Sequence, residues 1–167
     1  LSRMFACQTA GGSGALRTIA DLLAKARADA TVWPSDPTWV NHVPILKAAG
    51  LNIATYPYFD PASGTVKAEA MLKGLKQAKA GDIILVHGCC HNPTGANLTI
   101  EQWGLVADLL VERDLFPFID LAYQGFGDGL EADAAAVRLL ASKVPEMAVA
   151  TSCSKNFSVY RDRVGAG

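Results

Sequence analysis

Apolar positions switch between helical and strand spacing along most of the chain. Leu16, Ile19, Ala20, Leu22 and Leu23 fall on one helical stripe and predict a helix over 14–25. A short strand is expected over 31–33 and a helix over 41–49, stopped by Gly50. A strand over 51–56, a turn over 61–64 and a helix over 68–77 follow. The run Ile83-Ile84-Leu85-Val86 is continuous and β-branched, which predicts a strand buried on both faces. Thr99 is a good N-cap for a helix reaching Arg113. A strand over 115–119, blemished by Pro117, a helix over 131–143 and a strand over 147–151 complete the pattern. Helices between strands imply a mostly parallel sheet with crossovers, an α/β fold. No internal repeat, low-complexity tract or interdomain linker interrupts it.

Composition narrows the class. The 167 residues are enough for one domain with a real core, and half are hydrophobic against 19% charged, so the chain is globular. The net charge of −1 comes with no basic stripe for nucleic acid and no Lys/Arg-rich amphipathic stretch for a membrane surface. The longest apolar run, Ile83 to Val86, is far too short to cross a bilayer. No charged-then-apolar leader opens the chain, so no signal peptide is expected. Cys7, Cys89, Cys90 and Cys153 lack a secreted disulfide spacing and favour a reducing, cytoplasmic location. Leu1 in place of Met, and a C-terminus at Val164-Gly165-Ala166-Gly167, give the ends the look of cuts.

Ligands of open parallel sheets collect at the carboxyl ends of the strands, and four distinctive segments are expected there: 36–39, 87–95, 120–125 and 152–156. Gly11-Gly12-Ser13-Gly14 precedes a helix and reads either as a phosphate cradle or as an ordinary turn with Ser13 as N-cap. No lysine follows at P-loop spacing. Asp120 ends an apolar strand; it is either the partner of a cationic ring nitrogen or a cap or structural ion pair. Lys155 is either an imine-forming lysine or a surface cation, and Arg163 either a phosphate fork or a surface cation. Trp39 either stacks on a flat ring or anchors the core edge. His87, Cys89, Cys90 and His91 are crowded but lack tetrahedral zinc spacing, so no metal is expected and the cysteines read as core residues. A hydrolase is disfavoured because no Gly-x-Ser-x-Gly elbow occurs.

Three pieces in this order, 87–95, Ala122-Tyr123-Gln124-Gly125-Phe126 and Ser154-Lys155-Asn156-Phe157, make the chain resemble the aspartate/aromatic aminotransferase subgroup of fold type I pyridoxal-phosphate (PLP) enzymes, from about Gly11 to Gly165. Ser35 to Trp39 and Ser152 to Lys155 look closer to aromatic-type members. The resemblance implies a three-layer α/β/α large domain and amino-group transfer between an amino acid and a 2-oxo acid such as 2-oxoglutarate. It implies Lys155 as the Schiff-base lysine and proton shuttle, with Asp120 on the pyridinium nitrogen. Tyr123 and Asn92 would meet the phenolic oxygen, and Trp39 the ring face. Gly12, Ser13, Gly14, Ser152 and Arg163 would hold the phosphate, and His42 and His87 would orient Asp120. Ser158 replaces the family's usual glycine. The family's small domain, built from both chain ends and carrying the arginine for the substrate carboxylate, is not in these residues, nor are the tyrosine and arginine that a homodimer partner lends. Residues 1–167 would therefore be an incomplete PLP-binding core. Other PLP chemistry, β-elimination or decarboxylation, and a non-catalytic PLP-binding fragment are the alternatives.

Overall fold

A computed structural model describes residues 4–167. In chain order the elements are β1 (Gln8–Ala10), α1 (Gly11–Ala26), β2 (Thr31–Trp33), β3 (Ser35–Asp36), α2 (His42–Ala48), β4 (Asn52–Ile53), β5 (Tyr56–Pro57), β6 (Phe59–Asp60), β7 (Thr65–Val66), α3 (Ala68–Leu75), β8 (Ile83–His87), α4 (Ile100–Glu112), β9 (Phe116–Leu121), α5 (Leu130–Asp133), α6 (Ala135–Lys143), β10 (Ala148–Ser152) and β11 (Val164–Ala166). Seven strands form one sheet in the order β1-β11-β10-β9-β8-β2-β4. β4, β2, β8, β9 and β10 run parallel, and β11 lies antiparallel between β10 and β1.

Strand alternation sends neighbouring residues to opposite faces, and the central strand shows what this does. Ile84 and Val86 of β8, with Ile119 of β9, pack against Met71, Leu75, Val106, Leu110 and Leu140 from α3, α4 and α6. Ile83 and Leu85, with Phe118, pack against Leu16, Ile19, Leu23 and Leu46 from α1 and α2. Two apolar layers thus sandwich the sheet, giving the expected α/β/α arrangement. Each face is covered by helices, which is why β8 carries no polar residue before His87.

Several boundaries depart from the sequence expectation, each for a local reason. α1 starts at Gly11 and not after the glycines, so Gly12, Ser13 and Gly14 form its first turn and Ser13 is not its cap. The stretch 51–56 splits, because β4 pairs with β2 while Tyr56 and Pro57 turn away to pair with β3. Pro117 is tolerated inside β9 because pairing with β10 begins only at Phe118. The helix expected over 131–143 breaks at Ala134 into α5 and α6. Thr99 and Gln102 form a reciprocal capping box at the start of α4, as the threonine predicted. Cys89 and Cys90, read as core residues, are half-buried at the surface instead.

Candidate active site

The carboxyl ends of β8, β9 and β10 meet the first turn of α1 around a cleft of about 230 Å³. Each wall is set by chain geometry. Asp120 lies one residue before the end of β9, and its side chain is almost wholly buried. Its Oδ2 sits 2.9 Å from His42 Nε2, and His42 Nδ1 sits 2.7 Å from Thr38 Oγ1. His42 opens α2, so the turn after β3 delivers the imidazole behind the carboxylate. Trp39, from the same turn, lines the cleft and meets His42 edge-on at 5.4 Å.

His87 ends β8 and lines the cleft with neither ring nitrogen hydrogen-bonded. Its ring lies 5.0 Å from His42 and 4.3 Å from His91. Burial, aided by these two neighbours, pushes its pKa well below the usual histidine range. Unpaired polar atoms in a buried wall are costly, and at a functional cleft they mark a surface shaped for something other than the folded chain alone. Asn92 Nδ2 donates to Tyr123 Oη at 3.4 Å on the adjoining wall.

The opposite end has the groups that could cradle an anion. Gly12 and Ser13 present the N-terminus of α1, where free N–H groups and the helix dipole favour negative charge. A Cβ on Gly12 would stand 3.0 Å from the Ser152 Cβ, a contact tight enough that α1 or β10 would have to give by a few tenths of an ångström. Arg163, held at φ 53°, donates from Nη1 to Ser154 Oγ and to the Tyr160 carbonyl, both at 3.2 Å. Lys155 Nζ stands between the two ends, 4.6 Å above the Tyr123 ring and 5.4 Å from that of Tyr160.

Gly12, Ser13, Trp39, His87, Asn92, Asp120, Tyr123, Ser152, Lys155 and Arg163 are therefore brought to one cleft, as the sequence suggested. His42 stands behind Asp120 and does not line the cleft. Gly14 does not line it either; it packs within one turn of helix against Thr9 and Ala10. Ala122 and Ser154 also line it, within the segments expected at the strand ends, and Leu16 and Tyr160 line it without having been anticipated. Tyr160 lies three residues before Arg163 and reaches the cleft from the turns between β10 and β11. Thr38 was missed as the outer end of the His42 pair, although its spacing of four residues from His42 places it one turn away.

The donor set fits a flat aldehyde with a phosphate at one end and a ring nitrogen at the other. A cation fork and helix N-terminus suit the phosphate, an amine the aldehyde, and a buried carboxylate a protonated ring nitrogen.

His91 braces this wall. Both ring nitrogens are engaged, with Ser35 Oγ at 3.0 Å and Thr94 Oγ1 at 2.8 Å, and Tyr58 stacks on the ring at 4.0 Å. Burial pushes its pKa down from 6.5 to about 4. A depressed folded-state pKa means that the unfolded chain binds the proton first. The stability held above pH 6.5 is then lost as pH falls toward 4, by up to roughly 3 kcal/mol. Urea unfolding of wild type and His91→Gln at pH 7 and pH 5 checks this: the variant should show a shallower acid loss, and parallel losses would contradict it.

Comparison with known proteins agrees with this geometry. The family model described as aminotransferase class I and II matches residues 2–167. The aromatic-amino-acid aminotransferase of Paracoccus denitrificans is 55% identical over 157 residues, covering 94% of this chain and 40% of that protein. The aspartate aminotransferase of Escherichia coli K12 is 49% identical over 159 residues, covering 95% and 40%. A solved aromatic-amino-acid aminotransferase from Burkholderia pseudomallei, covalently bound to pyridoxal phosphate, superposes with a TM-score of 0.94 at 45% identity, covering 96% of this chain and 40% of that one. The chain spans about 40% of the length of these relatives. With the match running through every wall of the cleft, the chain belongs to the class I and II aminotransferase family.

Proposed function

We propose that this chain is the cofactor-binding core of a PLP-dependent aminotransferase that moves the amino group of aspartate or an aromatic amino acid to a 2-oxo acid such as 2-oxoglutarate. The observation that carries the reading is the spacing of three unlike groups around one cleft: the Arg163 and α1 cradle, the Lys155 amine and the Asp120 carboxylate. In this reading Gly12, Ser13, Ser152 and Arg163 bind the phosphate. Lys155 Nζ holds the cofactor covalently. When bound, the cofactor supplies an electron sink for the pair left at the substrate α-carbon.

The remaining work belongs to the chain's own residues. Asp120 keeps a proton on the ring nitrogen, and His42 fixes the carboxylate by its 2.9 Å contact. Asn92 and Tyr123, 3.4 Å apart, offer donors to the ring oxygen. Trp39 covers one ring face, and His87 remains neutral beside it. Lys155 Nζ would also be the group that takes the substrate α-proton and returns it. Among the described residues the cations lining the cleft are Lys155 and Arg163, both with roles already. The anchor for the substrate carboxylate is therefore expected from the rest of the full-length protein, which we propose acts as a homodimer.

Arg163→Ala is expected to weaken PLP retention roughly 10–100-fold, since a charge-assisted bond contributes about 1.5–3 kcal/mol. Cofactor loss during dialysis measures it, and unchanged retention would place the phosphate elsewhere. The function itself is tested by mixing the full-length protein with PLP, aspartate or phenylalanine, and 2-oxoglutarate. Glutamate should appear, whereas release of ammonia or carbon dioxide without glutamate would assign β-elimination or decarboxylation instead. The 167-residue chain alone should bind PLP yet turn over at least about 100-fold more slowly, because positioning contributes a large share of such barriers.

A further inference from the structure

Behind the wall that carries Asn92 and Tyr123, three ligating side chains converge outside the cofactor cleft. Cys89 and Cys90 follow the end of β8, and Asp133 closes α5. One ligand atom from each lies within 4.8 Å of the other two. None of the three lines the cleft. Both thiols are free and half-buried, so solvent can fill a fourth position. We propose that Cys89, Cys90 and Asp133 form a site for a thiophilic divalent cation of the Zn²⁺ or Cd²⁺ kind.

The donor chemistry supports that class. Two sulfurs and a carboxylate oxygen suit soft and borderline cations, while Mg²⁺ and Ca²⁺ require oxygen shells. Tetrahedral zinc with sulfur at about 2.3 Å sets its sulfurs roughly 3.8 Å apart, within reach of modest side-chain movement. Asp133 is held in place by backbone N–H groups of the loop before it. Its Oδ2 accepts from Gly125 at 2.7 Å and Gly127 at 2.9 Å, and its Oδ1 accepts from Asp128 at 2.9 Å. Cys90 Sγ makes a weak 3.9 Å contact to the Tyr123 carbonyl and a further one to the Cys89 thiol. Binding exchanges two thiol protons for one cation, so M²⁺ and two S–H groups give the dithiolate complex and two H⁺. The spacing of the cysteines and histidines alone argued against a metal; the third ligand, from distant α5, is what sequence spacing could not supply.

Occupancy would clamp the segment leading to Asn92 onto the loop following Tyr123, tying both polar groups of the cleft wall to one cation. The binding itself does not depend on the aminotransferase reading.

The test uses reduced, metal-stripped protein titrated with Cd²⁺, following the thiolate-to-cadmium absorption and competition with a chromophoric chelator. Wild type should take up one Cd²⁺ per chain and ignore Mg²⁺. Loss of outer-shell partners already costs about 10–100-fold in metal affinity, so Cys89→Ser and Cys90→Ser should each cost at least about tenfold. The Cys7→Ser/Cys153→Ser variant should bind as wild type. Equal uptake by the Cys89→Ser/Cys90→Ser double variant, or loss of uptake in the Cys7/Cys153 variant, would overturn the site. Asp133 also fastens its loop, so its part is read without mutation, from X-ray absorption of the wild-type Cd²⁺ complex. Two sulfur and additional oxygen scatterers support the assignment; one sulfur or more than two refutes it.

Discussion

Replacing Lys155 with alanine is expected to lower turnover of the full-length protein at least about 10³-fold while leaving it folded. Two losses combine. The chain loses its covalent hold on the aldehyde, and it loses the base for the α-proton, a role that by itself contributes about 10²–10⁴-fold. Among the residues lining the cleft, Arg163 is the other cation; it bonds Ser154 and the Tyr160 carbonyl at the far end, and its guanidinium does not act as a base. The fold should survive because Lys155 lies in the turns after β10 and packs chiefly by its amine over Tyr123 and Tyr160. Single-turnover mixing with aspartate measures the loss, and partial rescue by added methylamine would identify the missing group as an amine. A rate within tenfold of wild type would remove Lys155 from the chemistry.

Asp120→Ala should have the next largest effect, roughly 10²–10³-fold on the half-reaction, with a much smaller effect on cofactor uptake. A preorganised charge in a buried site acts mainly where charge develops in the reaction, whereas the phosphate cradle, at the other end of the cleft, supplies much of the binding. The carboxylate is nearly sequestered from water and fixed by His42, itself fixed by Thr38. Asp120→Asn should fall close to the alanine variant, because shape is kept and charge is not. An unchanged half-reaction in both variants would refute the role of the carboxylate.

Much of this was legible because local signals and tertiary structure agree. The apolar run of β8 and the Thr99 cap each reported one element without help from the rest of the fold. The cleft residues were legible through motif order, since strand-end positions 87, 120 and 152 become neighbours once the strands are parallel. What was not legible is non-local. Val164–Ala166 looked like a loose end, yet it fills the gap between β1 and β10, where Gly165 fits because a Cβ there would strike the backbone of Gly11 and Thr151. Nor does any local pattern say that Tyr160 turns into the cleft, or that Ser35 reaches His91, 56 residues away. The three glycines misled for a related reason. They lie inside α1, with Gly11 at φ 70° against the Arg163 guanidinium and Gly12 close to Ser152, where spacing alone suggested a loop ahead of the helix.

The central claim, that one cleft lysine carries the cofactor, has a direct test. The protein is loaded with PLP, reduced with borohydride, digested and mapped by mass spectrometry. The account predicts a single pyridoxyl adduct on Lys155, in the peptide that holds Ser154 and Asn156. An adduct on another lysine, or none from folded protein that retains PLP, would contradict it.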